Sequence, residues 1–242
     1  MRRAIVLGIA AAAAASTGCA RDRSESAGLA TTRDFQVAGF ERLEVGGPYD
    51  VTVTTGSAPS VQASGGEQAI ERMIVEVKNG TLRIYTKKRS GMNFGRSDGN
   101  HSVKLTVTVP HLTAAQIAGS GSISVDKVAG DSFAAGVAGS GELSLGQVDV
   151  KRLKAEVAGS GDINLGQGRA TAVSYEIAGS GEIDGKALIA QAASLSIAGS
   201  GDISAHATGT AAVDIAGSGD VQMTGGAKCT VSKVGSGNVS CA

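Results

Sequence analysis

A short glycine-centred core recurs seven times along the C-terminal half of this chain, and the recurrence limits what the chain can fold into. The core reads IAGSGSI from Ile117, VAGSGEL from Val137, VAGSGDI from Val157, IAGSGEI from Ile177 and IAGSGDI from Ile197. IAGSGDV follows from Ile215 and KVGSGNV from Lys233. Its first glycine falls at 119, 139, 159, 179, 199, 217 and 235, so the spacings are 20, 20, 20, 20, 18 and 18. A fixed period of this length is the mark of a repeat architecture, in which each unit buries its apolar face only against its neighbours. The composition agrees. Gly supplies 36 of 242 residues, aromatics only 3%, and Trp is absent. The core must therefore be built from Val, Ile, Leu and Ala in thin layers rather than from aromatic bulk.

Parity within each copy separates strand from helix. Leu153, Ala155, Val157, Gly159, Gly161, Ile163 and Leu165 alternate with Lys154, Glu156, Ala158, Ser160, Asp162 and Asn164. Apolar-or-Gly against polar-or-small at period two is a strand with one buried face. High Gly content and β-branching weigh against helix. Stacked one period on, at about 4.8 Å, such strands pair in parallel. The sequence therefore predicts an all-β chain, a parallel β-helix or β-solenoid with coils of about 20 residues. The regular Gly-Ser-Gly repeats lie in 113–242, and a solenoid domain with a less regular N-terminal part spans 33–242. The glycines of each core mark either a bend or a pinch in the coil, since Gly permits both. Runs such as Asp126-Lys127-Val128-Ala129-Gly130 are assigned to the remaining turns.

The first 18 residues read as an address. Met1-Arg2-Arg3 precedes an apolar stretch, Ala4 to Ala15, too short to span a bilayer. Ser16-Thr17-Gly18-Cys19 resembles a bacterial lipobox, with Ser16 where Leu is usual, which makes residues 1–18 a lipoprotein-type signal peptide and Cys19 the lipidated residue. The alternative is an ordinary secretory signal and a periplasmic or secreted soluble protein. Cysteine arithmetic favours the lipid. Of Cys19, Cys229 and Cys241, lipidation uses the odd one and leaves Cys229 and Cys241 to pair in an oxidising compartment. A straight strand would hold that pair about 40 Å apart, whereas a disulfide needs Cα atoms within roughly 7 Å. The bridge therefore requires the chain to fold back near Gly235-Ser236-Gly237, as a staple on a final coil whose inward Ile slot holds Lys233. Residues 19–32 read as a flexible tether. Ala20, rather than Asp, after Cys19 points by resemblance to outer-membrane sorting, so the expected partner at this end is a membrane.

Residues 33–110 carry strand-like runs at Phe35–Val37, Leu43–Val45, Val51–Val53, Val75–Val77, Leu82–Ile84 and Val103–Val109. Residues 66–74 suit one helical turn or two, and the basic, Gly/Ser-rich run 87–102 an exposed loop. Val45-Gly46-Gly47-Pro48-Tyr49-Asp50-Val51 looks like a degenerate copy of the core. The opening Phe35, Val37, Phe40, Leu43, Val45, the step Gly47 with Asp50 to Val53, and the later G-S-G-[DE]-[IV] cores resemble the bacterial head GIN domain family of "putative auto-transporter adhesins" over about 33–242. The resemblance implies a right-handed parallel β-helix in an exported protein, and supplies no catalytic residues.

Nothing in the repeats predicts catalysis. The residue after each Gly-Ser-Gly places Glu142, Asp162, Glu182, Asp202 and Asp220 in an acidic surface ladder. Ca²⁺ is the sharper reading of such a ladder and solvation of the face the plainer one. The Ca²⁺-binding nonapeptide pattern does not fit, because the acid follows the second Gly directly. The serines Ser120 to Ser236 lack a base, and His101, His111 and His206 stand beside no distinctive Ser. No Cys/His metal spacing exists, no cofactor is implied, and no strand-to-helix switch turns the glycines into phosphate loops. The formal charge is zero, with 14 basic and 10 acidic residues in 1–110 and 8 and 12 in 111–242. A mildly acidic repeat half excludes a nucleic-acid groove there. The expected function is a non-enzymatic cell-envelope solenoid that presents a repetitive surface to an envelope protein or glycan. The rival is a carbohydrate-binding or carbohydrate-active β-helix.

Overall fold

A computed structural model describes residues 30–87 and 103–242. The signal segment, Cys19, most of the tether, the run 88–102 and His101 lie outside the described residues. The elements in chain order are β1 (Ala30–Phe35), β2 (Arg42–Gly46), β3 (Tyr49–Thr55), β4 (Ser60–Gly66), α1 (Glu67–Arg72), β5 (Met73–Lys78), β6 (Thr81–Thr86) and β7 (Val103–Val109). They continue as β8 (Ala114–Gly119), β9 (Ser122–Gly139), β10 (Glu142–Gly159), β11 (Asp162–Gly179), β12 (Glu182–Gly199) and β13 (Asp202–Gly217). Last come β14 (Val221–Thr224), β15 (Lys228–Gly235) and β16 (Val239–Cys241).

The repeats stack in register as parallel coils. Leu143, Val157 and Gly159 of β10 lie over Ile123, Val137 and Gly139 of β9 and under Ile163, Ile177 and Gly179 of β11. Each coil has three sides. The β10–β11 ladder is interrupted at Gly146 and Lys151, and the Ser160-Gly161 corner separates one strand from the next. Odd residues point inward up to Leu145. Gly146 and Gln147 are then both exposed, and the parity flips so that Val148 and Val150 are buried. Runs such as 126–130 are therefore a third strand side rather than turns, with Val128 buried beneath Val148. One coil thus sinks Leu143, Leu145, Val148, Val150, Leu153, Ala155 and Val157 into the core, and each buried Val or Leu contributes about 1.5–3 kcal/mol.

The two glycines of a core do different work. Gly159 bends the chain with φ 129°, a conformation that a side chain resists. Gly161 is pinched: a Cβ there would meet Val137 Cγ1 at 2.5 Å and the Gly141 carbonyl oxygen below it. The corner is closed between coils, where Ser160 N donates to Gly139 O at 2.9 Å and Asp162 N to Gly141 O at 3.0 Å.

The N-terminal part belongs to the same stack. Val45 and Val51 pair with Ile117 and Ile123, so the degenerate core 45–51 occupies a full core position. Its coil, β2 and β3, lies between β6/β7 on one side and β8/β9 on the other. Beyond β6 and β7 the pairing turns antiparallel: β5 on β6, β4 on β7, and β1 on β4, with α1 linking β4 to β5. Strand β1 begins at Ala30, inside the expected tether, and ends at Phe35, so the strand expected over Phe35–Val37 is displaced toward the N-terminus. Strand β4 (SVQASGG) has too few apolar residues to be read in advance.

At the other end Cys229 and Cys241 are bonded, with Cα atoms 6.6 Å apart. Cys229 continues the inward column of Ala211, and Cys241 that of Met223, so the bridge joins two sides of the coil. Lys233 sits over Ile215 and turns its ammonium to donate to Gly237 O at 2.7 Å across the fold-back. Removing the bridge with Cys241→Ser should cost about 2–3 kcal/mol by the loop-entropy account. Because coils contact only their neighbours, the loss should appear as faster amide exchange in β15 and β16, with β10 and β11 unchanged.

Candidate interaction surface

The same register that packs the core rules the outer face into columns. Glu142, Asp162, Glu182 and Asp202 pair in sequence, and Asp220 follows on the next coil. The five carboxylates are thus stacked one per coil, at the strand spacing of about 4.8 Å. Their chemistry is mostly internal. Asp162 Oδ1 accepts from Glu182 N at 3.1 Å, Asp202 Oδ1 from Asp220 N at 3.0 Å, and Asp220 Oδ1 from Asn238 N at 2.7 Å. Glu142 Oε1 accepts from Asn164 Nδ2 at 3.0 Å and Ser144 Oγ at 3.1 Å. Each Asp thus ties a corner to the next coil, which explains acids at this position without invoking a ligand. Among the described residues no three His, Cys, Asp or Glu side chains converge as a metal set.

The serines of the cores line a neighbouring exposed column. His111 is exposed, and the half-buried His206 faces Thr224 Oγ1 at 3.1 Å through Nδ1. Beside the serines runs a column of exposed alanines, Ala118, Ala138, Ala158, Ala178, Ala198 and Ala216. Next to that, Lys154 forms ion pairs with Glu156 at 2.7 Å and Glu176 at 3.7 Å, and the hydrogen bond to Glu156 raises its pKa.

The regularity breaks where the array meets the N-terminal coils. There an open groove of about 620 Å³ crosses β6, β2, β8, β9 and β10. Gly46, Ala118, Ala138 and Ala158 form its floor, with Gly136 beside them. Tyr85 stands at one end, its hydroxyl donating to Glu76 Oε1 at 3.1 Å. That bond raises the Tyr85 pKa, so the phenol stays protonated at neutral pH. Arg83 Nε pairs with Glu44 Oε2 at 2.8 Å on one wall, and Gln116 and Glu156 flank the gap at Gly136. Sequence reasoning did not find these residues. The available signal was Gly136, a strand glycine at the outward parity where the neighbouring copies carry Gln116 and Glu156.

Among the described residues no helix is long and apolar enough to cross a membrane. No curated protein matches the chain. Among solved structures, it is similar to "a putative adhesin" from Bacteroides fragilis at 25% identity and TM-score 0.77, covering 87% of this chain and 95% of that one. It is also similar to a "putative lipid binding protein" from Parabacteroides distasonis at 26% identity and TM-score 0.68, covering 87% and 96%. A second Parabacteroides distasonis structure, a "putative adhesin", shares the fold at 21% identity and TM-score 0.69, covering 88% and 96%. The family model described as "Putative auto-transporter adhesin, head GIN domain" matches residues 39–227. That span takes in the degenerate N-terminal core and all the cores but the last, and with the shared coil geometry it means that the chain belongs to the head GIN domain family.

Proposed function

We propose that this protein is a non-enzymatic adhesion module of the bacterial cell envelope, held to the outer membrane by a lipid on Cys19. The observation that carries the reading is the uniform outer edge formed by the Ala-Gly-Ser-Gly corners of β9 to β13. Equivalent residues repeat in columns, and the Asp carboxylates that look most chemical are engaged with the backbone of the next coil. A catalytic site concentrates distinctive groups at one place; this edge distributes equivalent ones along its length. The described resemblance to adhesins supports the same reading. The Ser-Thr-Gly-Cys19 sequence supports the anchor.

Two measurements test the two parts. Wild-type protein should partition into detergent and carry an acylated N-terminal Cys19 by mass spectrometry, and Cys19→Ala should partition into water; an unmodified wild-type N-terminus overturns the anchor. Surfaces coated with purified protein should retain bacterial or host cells over an albumin control. Equal retention on both overturns adhesion.

A further inference from the structure

We infer that the groove at the junction of the N-terminal coils and the array binds a neutral oligosaccharide. The inference rests on the adhesion reading and assigns a ligand class to one place on its surface. The first observation is a pair of glycines that the fold does not require. Unlike Gly159, neither Gly46 nor Gly136 has φ in the left-handed region. Unlike Gly161, neither is crowded: a Cβ on Gly136 would reach Gln116 Cγ at 3.4 Å, and one on Gly46 would reach Tyr85 Cβ at 3.4 Å, both ordinary contacts. Glycine in a strand costs stability. Where neither backbone nor packing calls for it, close approach by another molecule is the remaining physical use. Both glycines hollow out the same groove.

The second observation is what surrounds the hollow. The floor is flat and apolar, Tyr85 offers a ring at one end, and Glu76, Gln116 and Glu156 offer acceptors along the rim. Arg83 is paired with Glu44 and Lys154 with Glu156, so the charges of the rim are matched apart from Glu76, which accepts from Tyr85. An anionic polymer, including nucleic acid or an acidic polysaccharide, finds no unpaired cation among the lining residues. A peptide bound by strand addition needs a sheet edge to satisfy its main chain, whereas this floor is a sheet face whose own ladder is complete, so the N–H and C=O groups of an extended peptide would lie unpaired against alanines. A sugar fits: its C–H faces rest on alanine and the tyrosine ring, and its hydroxyls donate to the rim. Five strands span about 19 Å at the usual spacing, which suits a chain of sugars rather than a single one.

Titration calorimetry on the purified protein, with mannohexaose, cellohexaose and chitohexaose as neutral probes, oligogalacturonate as the anionic probe and heptalysine as the basic peptide, tests the inference. At least one neutral probe should bind. Gly136→Gln fills the gap with the residue type of its own column, and should leave the melting temperature unchanged or raise it while weakening that binding at least about tenfold. Tyr85→Ala should weaken it about three- to tenfold, as loss of an aromatic contact does, and Tyr85→Phe should retain most of it. Binding of heptalysine or oligogalacturonate alone, no binding of any probe, or equal sugar affinity in Gly136→Gln overturns the inference. If Gly136→Gln loses sugar but cells still adhere, the groove is a sugar site and adhesion runs through the columns. If cells do not adhere to wild type, the adhesion reading fails by itself, whatever the groove binds.

Discussion

Gly161→Ala should lower the melting temperature by about 6–12 °C, while Ser160→Ala, one residue away, should change it by no more than a degree or two. The difference is one of available space. The new methyl group at 161 would sit 2.5 Å from Val137 Cγ1 and against the Gly141 carbonyl. The carbonyl cannot retreat, because it accepts Asp162 N at 3.0 Å, and shifting it opens the corner. Overpacking of this kind costs about 1–3 kcal/mol, with backbone clashes at the upper end, and a chain of this length loses about 2–4 °C per kcal/mol. Ser160 points into solvent, where substitutions move stability by about 0.5 kcal/mol or less. A thermal melt followed by circular dichroism decides the matter. Equal melting of the two variants would mean that the corner relaxes freely and that the glycine column is not a packing requirement.

The second large effect is a rescue. Tyr175 occupies an inward column that holds Ala135 and Ala155 on the preceding coils, and its ring reaches into the place of a side chain at Gly185. The Gly185 column holds Val125, Leu145 and Leu165 before it and Ala205 after it. A Cβ on Gly185 would meet the Tyr175 hydroxyl oxygen at 2.7 Å and Cε2 at 2.9 Å. One large and one absent side chain thus replace the small and large pair of the neighbouring coil. Gly185→Leu alone should cost about 3 kcal/mol by overpacking. Tyr175→Ala alone should cost about 3–5 kcal/mol by leaving a cavity. The double variant restores the Ala155 and Leu165 arrangement, and should recover about 2–3 kcal/mol of the summed loss in a denaturant-based double-mutant cycle. Additive losses would mean that the two sites do not share the space. Burial and the nearby Asp184 push the Tyr175 pKa up, so its phenol stays neutral through the ordinary pH range and the cycle needs no pH correction.

Period, register and the inward face of two coil sides were legible because they rest on rules that repeat: alternation at period two, glycines at fixed spacing, and Cys229 and Cys241 set symmetrically about Gly235. The third side was not. Its inward residues, such as Val148 and Val150, follow a corner at which Gly146 and Gln147 both face out. One break in alternation reverses the parity, and a side of three or four residues is too short to re-establish a period. The N-terminal order was hidden for a different reason. Val45 matches Ile117 by pattern, but its other neighbour, Ile84, arrives through an antiparallel excursion that no repeat announces. The acidic ladder was found as a column, while its bonds to the next coil's backbone depend on corner geometry. The groove needed both the register across five strands and the knowledge that Gly136 and Gly46 are unforced, and only coordinates supply the second.

The position of β2 and β3 in the stack also sets an order of assembly. These strands are synthesised early, yet both their edges are filled by later chain: β6 and β7 on one side, β8 and β9 on the other. Ser122 Oγ reaches back 72 residues to Asp50 at 2.9 Å. Pairing at such separation is slow, and unpaired parallel edges expose a chain to aggregation while they wait. A nascent chain stopped before Ile117 therefore carries an open edge along its first coil, whereas one that has passed Gly139 has a closed platform on which each further coil of 20 or 18 residues needs only the one before it. Truncation is hazardous in the first half of this protein and tolerable, one coil at a time, in the second.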